Sequence, residues 1–150
     1  MNCMIENSQV SLIDSNILIY AYDKSESIKN AIAEKILEDV FINKKNVAVS
    51  TQNLSEFFVN ITSKIEKPIR PIEAYNAIHE ISSISNVKTF TIGKQTIINA
   101  IGFSIEFNIP YWDAQIAAVM HENNINTIVT ENEKDFKKIP WLRVINPFKK

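Results

Sequence analysis

The residues most able to do chemistry in this 150-residue chain are carboxylates, and they recur at one kind of place. Asp14, with Asn16 beside it, follows a short apolar run at residues 10–13. Glu56 lies in an amphipathic segment just after a second run, 47–50. Asp113 opens the segment 112–122. Glu131, Asn132, Glu133 and Asp135 come directly after a further run, 127–130. Carboxylates that share a site repel, and they ionise together only if a cation offsets the repulsion. Oxygen donors on an open site suit a hard divalent ion, Mg²⁺ or Mn²⁺. A pair of such ions can activate water and stabilise the leaving oxygen when a phosphodiester is hydrolysed.

Each residue taken alone leaves an alternative open. Asp14 could cap a helix beginning near Ile17. Asn16 could be a turn residue, or could orient a water or a phosphate-side oxygen. On a 3.6-residue wheel Leu54, Phe58, Ile61 and Ile65 form one face, and Glu56 points roughly 160° from its centre. Periodicity by itself therefore makes Glu56 a solvated residue. Asp113 lies within about 60° of Ile116 and about 20° of Met120, on the apolar side of its helix. A charge there is costly unless paired or bound to metal, although an acid in a first helical turn is also favoured by the dipole.

Other chemistries find little support. His79 and His121 match no ligand spacing and read as surface or packing residues. No Ser-His-Asp or Cys-His arrangement and no glycine-rich phosphate loop occurs, so no nucleotide cofactor is expected. Trp112 and Trp141 could stack on bases, but core or rim packing is the expectation for both. An aspartyl phosphoacceptor is disfavoured, because Asn16 stands where a phosphatase wants a second Asp. A receiver needs its acceptor after the third strand, where Thr91, Ile92 and Gly93 offer none.

The elements that must position these residues follow from periodicity. Runs 10–13, 47–50, 87–92, 127–130 and 142–145 read as strands, mostly of Val, Ile and Leu. Helical spacing covers 27–41, where Ile28, Ile32, Ile36, Leu37 and Val40 share a face, and also 51–64, 71–81, 94–107 and 112–122. Helical segments separate the first four strands, which predicts a parallel sheet covered on both faces. In such sheets ligands bind beyond the carboxyl ends of the strands, where the acidic residues are expected.

Composition bounds the rest. A 45% hydrophobic and 22% charged chain of this length is expected to be one globular domain, residues 1–150. Two glycines and five prolines leave little room for a turn-rich all-β fold. The formal charge of −1 means that any RNA contact must use local patches. Candidates are Lys44 with Lys45, then Lys64, Lys67 and Arg70, then Lys134, Lys137 and Lys138; each could equally be a solvated surface. Cys3 is the sole cysteine, which excludes an intrachain disulfide and a cysteine-based zinc site. The first ten residues lack the pattern of a signal peptide, and no apolar run approaches the ~20 residues of a membrane span. A soluble cytoplasmic protein is expected.

Four stretches resemble one family. LIDSNILIYAYD (12–23), NLSEFF (53–58), IPYWDAQIAAVM (109–120) and TIVTENEKDF (127–136) are similar, in order and spacing, to the acidic motifs of PIN-domain nucleases. The likeness is greatest to the VapC-type ribonuclease toxins of bacterial toxin–antitoxin pairs. The resemblance implies an α/β/α three-layer sandwich around a mainly parallel sheet, and Mg²⁺- or Mn²⁺-dependent endonucleolytic cleavage of RNA. It also implies a homodimer and a small antitoxin that blocks the site. Carried over, Asp14, Glu56 and Asp113 would be the catalytic, metal-binding carboxylates, with Asn16 the polar neighbour of the first. The chain departs from the family at Asn132, where Asp is common. Asp135, or failing that Glu131, would take the fourth role, or the second metal position would be weaker. The competing reading is a PIN-like domain that binds RNA or a protein without cutting, which Asn132 favours.

Overall fold

The structure, a computed structural model, describes residues 10–149; Cys3 and most of the amino-terminal stretch read for a leader lie outside them. Apolar runs too short for helices pair side by side through its middle. They are β1 (Ser11–Ile13), β2 (Val47–Ser50), β3 (Val87–Phe90), β4 (Thr127–Val129) and β5 (Arg143–Ile145). All pairings are parallel, in the order β3-β2-β1-β4-β5. Leu12 stands opposite Ala48 on one side and Ile128 on the other. The chain winds outward from β1 through β2 to β3, then returns to the far side of β1 with β4 and β5. The carboxyl ends of β1 and β4 therefore flank a topological switch point, the usual place for a ligand in an open α/β sheet.

Side-chain alternation along the strands feeds two cores. Leu12, Ala48 and Ile128 pack with Ala100 of α5 (Lys94–Phe107) and with Ala114, Ala117 and Met120 of α6 (Tyr111–Glu122). Ile13, Val47 and Val49 pack on the opposite side of the sheet. Their partners come from α1 (Ser15–Tyr22), α2 (Ser27–Phe41), α3 (Thr51–Ser63) and α4 (Pro71–Ser83). The result is the expected three-layer α/β/α sandwich with an all-parallel sheet. A short helix, α7 (Glu133–Phe136), lies beyond β4 and has too few residues to show a period. Among the described residues, no helix is long and apolar enough to cross a membrane.

Two local expectations are corrected. Helix α1 begins at Ser15 rather than near Ile17, because Asp14 accepts the Ser15 N–H and caps it. Ile28 is not on the buried face of α2 but is 76% exposed. That face is instead Asn30, Ala33, Leu37 and Val40. The Asn30 amide donates to the carbonyls of Tyr20 and Ala21, at 2.8 and 3.1 Å. It thereby satisfies backbone acceptors at the end of α1 and sets the rotation of α2.

Candidate active site

The first carboxylate is placed by the sheet itself. The Asp14 N–H continues the β1–β4 ladder by donating to the Val129 carbonyl at 3.0 Å. Its side chain is almost wholly buried. Oδ1 accepts from the Ser15 N–H at 2.8 Å and from Asn53 Nδ2 at 3.4 Å. Oδ2 accepts from Thr130 Oγ1 at 2.7 Å and from Asn16 Nδ2 at 3.2 Å. Burial raises the carboxyl pKa despite the opposing bonds from Thr130, Ser15 and Asn16. The helix-cap and site readings of Asp14 are thus compatible: one oxygen caps α1, and both belong to a polar cluster at the switch point.

Glu56 is reached through α3. Ser50 and Asn53 form a reciprocal cap at the start of that helix, with Ser50 N–H to Asn53 Oδ1 at 2.9 Å and Asn53 N–H to Ser50 Oγ at 3.1 Å. Glu56 follows one turn later, half-buried. Its Oε1 accepts from Ser15 Oγ at 3.3 Å and Gln52 Nε2 at 3.4 Å. Partial burial, then the charge of Asp14, push its pKa up. The wheel reading misplaced it because the buried face of α3 is Asn53, Phe57 and Ile61, not the face through Leu54 and Phe58. Glu56 is about 100° from that true centre, at the flank facing α1, rather than on the open side.

Asp113 sits in the first turn of α6, and Asp135 in α7. Burial, the adjoining Asp135 carboxyl and the charge of Asp14 raise the Asp113 pKa from 3.8 to about 7, against an opposing bond from Asn132. Asn132 Nδ2 donates to Asp113 Oδ2 at 3.1 Å and to Asp135 Oδ2 at 3.4 Å. The Asn132 N–H in turn donates to Thr130 Oγ1 at 3.0 Å. One hydroxyl therefore links the Asp14 side of the cluster to the Asp113 side.

The remaining predicted residues divide. Asn16 is at the centre: besides Asp14, its Oδ1 accepts the Glu131 N–H at 3.2 Å. The Glu131 carboxylate is turned away from the cluster. It accepts from Tyr20 Oη at 2.7 Å and pairs with Lys29 Nζ at 2.5 Å. Glu133 also faces elsewhere, held well below the usual carboxylate range, at about 2, by Lys149, Lys137 and Asn146. Of the basic patches, Lys44 and Lys45 precede β2 and so lie at the amino edge of the sheet, opposite the acidic cluster. Lys64, Lys67 and Arg70 follow the far end of α3. Lys137 pairs with Glu133, whereas Lys134 is exposed on α7 beside the cluster. Trp141 packs with Phe103 and His121, as expected of a rim residue. Trp112 does not pack into a core and is 63% exposed.

Sequence reasoning missed Ser15, Asn53 and Thr130, all buried and all bonded to Asp14. It also missed a relay in which Tyr111 Oη donates to Gln115, Gln115 to Gln52, and Gln52 to Glu56. Asn53 had a signal, since it sits one and two turns from Phe57 and Ile61 on a buried face. Ser15 and Thr130 had none, because small hydroxyl residues beside strands are ordinary.

Oxygen donors dominate this cluster, and three of its carboxyls have raised pKa values, which marks excess negative charge. That chemistry suits a hard divalent cation held by Asp14, Glu56, Asp113 and Asp135. Among the described residues, no three ligand side chains stand close enough together to enclose one. The carboxylates stand in two subsets, Asp14 with Glu56 and Asp113 with Asp135.

The PIN domain family model matches residues 11–142, and the chain belongs to that family. Solved structures with the same fold include VapC20 of Mycobacterium tuberculosis, described as a sarcin–ricin-loop-cleaving toxin. It aligns with TM-score 0.66 and 14% identity over 87% of this chain and 95% of that one. VapBC2 of Rickettsia felis, bound to a DNA fragment from its promoter, aligns at 0.63 and 23% identity over 91% and 98%. A toxin–antitoxin complex from Klebsiella pneumoniae aligns at 0.61 and 22% over 93% and 99%. No curated protein sequence matches the chain significantly.

Proposed function

We propose that this chain is a divalent-metal-dependent endoribonuclease. We further propose that it is the toxin of a toxin–antitoxin pair, acting in the cytoplasm as a homodimer and blocked by a small antitoxin protein. The observation that carries the catalytic reading is that Asp14 with Glu56, and Asp113 with Asp135, lie as two neighbouring pairs at one end of a parallel sheet. The residues come from four separate elements, and three carry raised pKa values. Family membership and the toxin–antitoxin relatives support the biological role.

Asp14, Glu56, Asp113 and Asp135 would hold Mg²⁺ or Mn²⁺, which would offset their repulsion, make a water more acidic and stabilise charge at a leaving oxygen. The protein supplies the rest. Thr130, Ser15, Asn16 and Asn53 hold Asp14 in one orientation through hydrogen bonds to both of its oxygens. Ser15 and Gln52 hold Glu56 beside it. Asn132 orients Asp113 and Asp135, but offers an amide where a carboxylate would add charge. Lys134 and the exposed face of Trp112 are available to a substrate phosphate and a base at the site edge.

The test is cleavage of end-labelled RNA by the purified chain in chelator, Mg²⁺ and Mn²⁺. Cleavage with internal cuts in either ion, absent in chelator and absent in Asp113→Asn, supports the reading. Retained RNA binding without cleavage in either ion favours the second reading, a PIN-like binding module. The observation behind that alternative is Asn132, whose amide already occupies both Asp113 and Asp135.

A further inference from the structure

Helix α7 carries Asp135, yet it is only four residues long, Glu133–Phe136, and so short a helix does not hold itself together. Its orientation must come from what its side chains touch. Phe136 is fully buried and seats one side of the helix in the core. Glu133 and Asp135 are roughly 200° apart around a helix, so they point to opposite sides. Whatever holds Glu133 outward therefore aims Asp135 inward.

Two of the three groups that hold Glu133 come from the segment after β5. Its carboxylate accepts from Asn146 Nδ2 at 3.1 Å and pairs with Lys149 Nζ at 2.6 Å. The third is Lys137 at 2.9 Å, one turn along the chain. Only 17% of the Glu133 side chain is exposed, so this is a sheltered network rather than a single surface pair. Between Asn146 and Lys149 the backbone folds back on itself. The Phe148 N–H donates to Asn146 Oδ1 at 3.0 Å, and Pro147 between them fixes one backbone angle.

That turn presents Phe148 to a second anchor. Its ring meets Tyr20 edge to face, with centres 5.2 Å apart, and Lys29 Nζ stands 5.7 Å from its centre. Tyr20 and Lys29 are the residues that engage the Glu131 carboxylate. One short segment thus touches the restraints on both acids that flank Asn132. Glu131 and Glu133 are drawn outward. Asn132 stays turned to the cluster, with Nδ2 3.1 Å from Asp113 and 3.4 Å from Asp135.

We propose that residues 146–149 are a positioning clamp for the acidic site: by holding Glu133 through Asn146 and Lys149, and the Tyr20–Lys29 pair through Phe148, they aim Asp135 and Asn132 at Asp113. The clamp rests on the reading of the cluster as a metal site, and adds the residues that set its fourth carboxylate. Its members touch neither Asp113 nor Asp135, so they act only through the loop they hold. Two anchors share the task, and the loss of one alone has a small effect.

The test uses the full chain with Asn146→Ala and Phe148→Ala combined, which loosens both anchors without changing the charge near a cation. Two quantities are read: Mn²⁺ affinity by calorimetry, and the Asn132 side-chain amide signals in the NMR spectrum of metal-free protein, assigned by their loss in Asn132→Asp. The double variant should bind Mn²⁺ about tenfold or more weakly, as when other orienting partners of ligands are removed. Its Asn132 amide signals should move toward those of a solvent-exposed amide. Phe148→Tyr keeps a ring against Tyr20 and Lys29, and should match the wild type in both. Ile81→Ala, in the buried face of α4, should lower the melting temperature and leave both readouts unchanged. Wild-type values for either readout in the double variant overturn the clamp, and so do equal losses in Ile81→Ala, which would make the effect one of general stability. If the wild type binds no Mn²⁺, the metal-site reading fails; the amide signals then decide the clamp by themselves, and unmoved signals overturn it.

Discussion

Asp14 and Asp113 belong to one acidic cluster, yet their charges are held in different ways. Asp14 is buried, accepts bonds on both oxygens and closes the hydrogen-bond network of the switch point. Asp113 is more open. It has one amide donor, Asn132, and its nearest charged neighbour is another carboxyl, Asp135. The first side of the site is organised by the fold; the second is left in repulsion. A pre-oriented ligand pays its ordering cost during folding, whereas a repelling pair keeps a driving force for binding a cation. The difference teaches that an acidic cluster is not one electrostatic object, and its members should respond differently to the same substitution.

The largest expected effects come from Asp→Asn on the two sides. Both Asp14→Asn and Asp113→Asn should abolish Mg²⁺-dependent cleavage, since each removes a charged ligand. Their stabilities should diverge. In Asp14→Asn an NH₂ replaces an oxygen that accepts from Asn16 and Thr130, so loss of about 1–3 kcal/mol is expected. In Asp113→Asn repulsion with Asp135 is relieved, and metal-free stability should hold or rise. Equal destabilisation of the two variants in urea unfolding would erase the contrast.

Next in size is Thr130→Val. It deletes the hydroxyl that donates to Asp14 and accepts from Asn132, linking the two sides. A drop of about 10–100-fold in metal affinity or activity is expected, as for other orienting partners of ligands, together with measurable destabilisation. Calorimetric titration with Mn²⁺ reads the first effect directly. Unchanged affinity would mean that Asp14 needs no such support.

Asn132→Asp sharpens the contrast from the open side. A third carboxylate beside Asp113 and Asp135 should tighten Mg²⁺ or Mn²⁺ binding, because a charged oxygen is the better ligand for a hard cation. It should lower metal-free stability by added repulsion. Titrating Asp135→Asn in parallel locates the fourth ligand. If binding falls only in Asp135→Asn, that residue already fills the role and Asn132 is an orienting amide.

A pH dependence follows from the same side. The Asp113 carboxyl has an ordinary pKa of 3.8 and a folded value of about 7. The folded state therefore binds this proton more tightly, and its stabilising contribution is complete below 3.8. It is lost as pH rises from there to about 7. Metal-free protein should lose melting temperature across this window, and Asp113→Asn should lose less. A steeper fall in the variant would contradict the raised value.

The smallest effect is expected at Glu131→Gln. Its carboxylate is engaged by Lys29 and Tyr20, and only its backbone N–H reaches Asn16. A partly exposed pair of this kind contributes about 0–1 kcal/mol. Metal titration should be nearly unchanged, and a large loss would make Glu131 a ligand after all.

Much of this is legible in the amino-acid sequence. Short runs of Val, Ile and Leu alternating with helical periods predicted a parallel sheet between two helical layers. The rule that ligands gather beyond strand ends selected Asp14 and the residues after β4. Four spaced motifs identified the family. The sequence misleads where a single element is taken without its neighbours. The wheel turned Glu56 to solvent because it ranked Leu54 and Phe58 as the inner face, but Asn53 and Phe57 are inside. Ile28 was placed inward by spacing, while Asn30 turned α2 toward the carbonyls of α1.

Sequence by itself determined the periods, the order of the elements and the presence of carboxylates at strand ends, because these depend on residue type and spacing along the chain. Only the tertiary structure decided which acids share a site and how each is held. Asp135 joins Asp113, while Glu131, although nearer in sequence to Asn132, is drawn away by Lys29, which lies more than a hundred residues earlier in the chain. Local sequence could not decide between them, since burial and hydrogen-bond partners come from segments brought together by strand pairing.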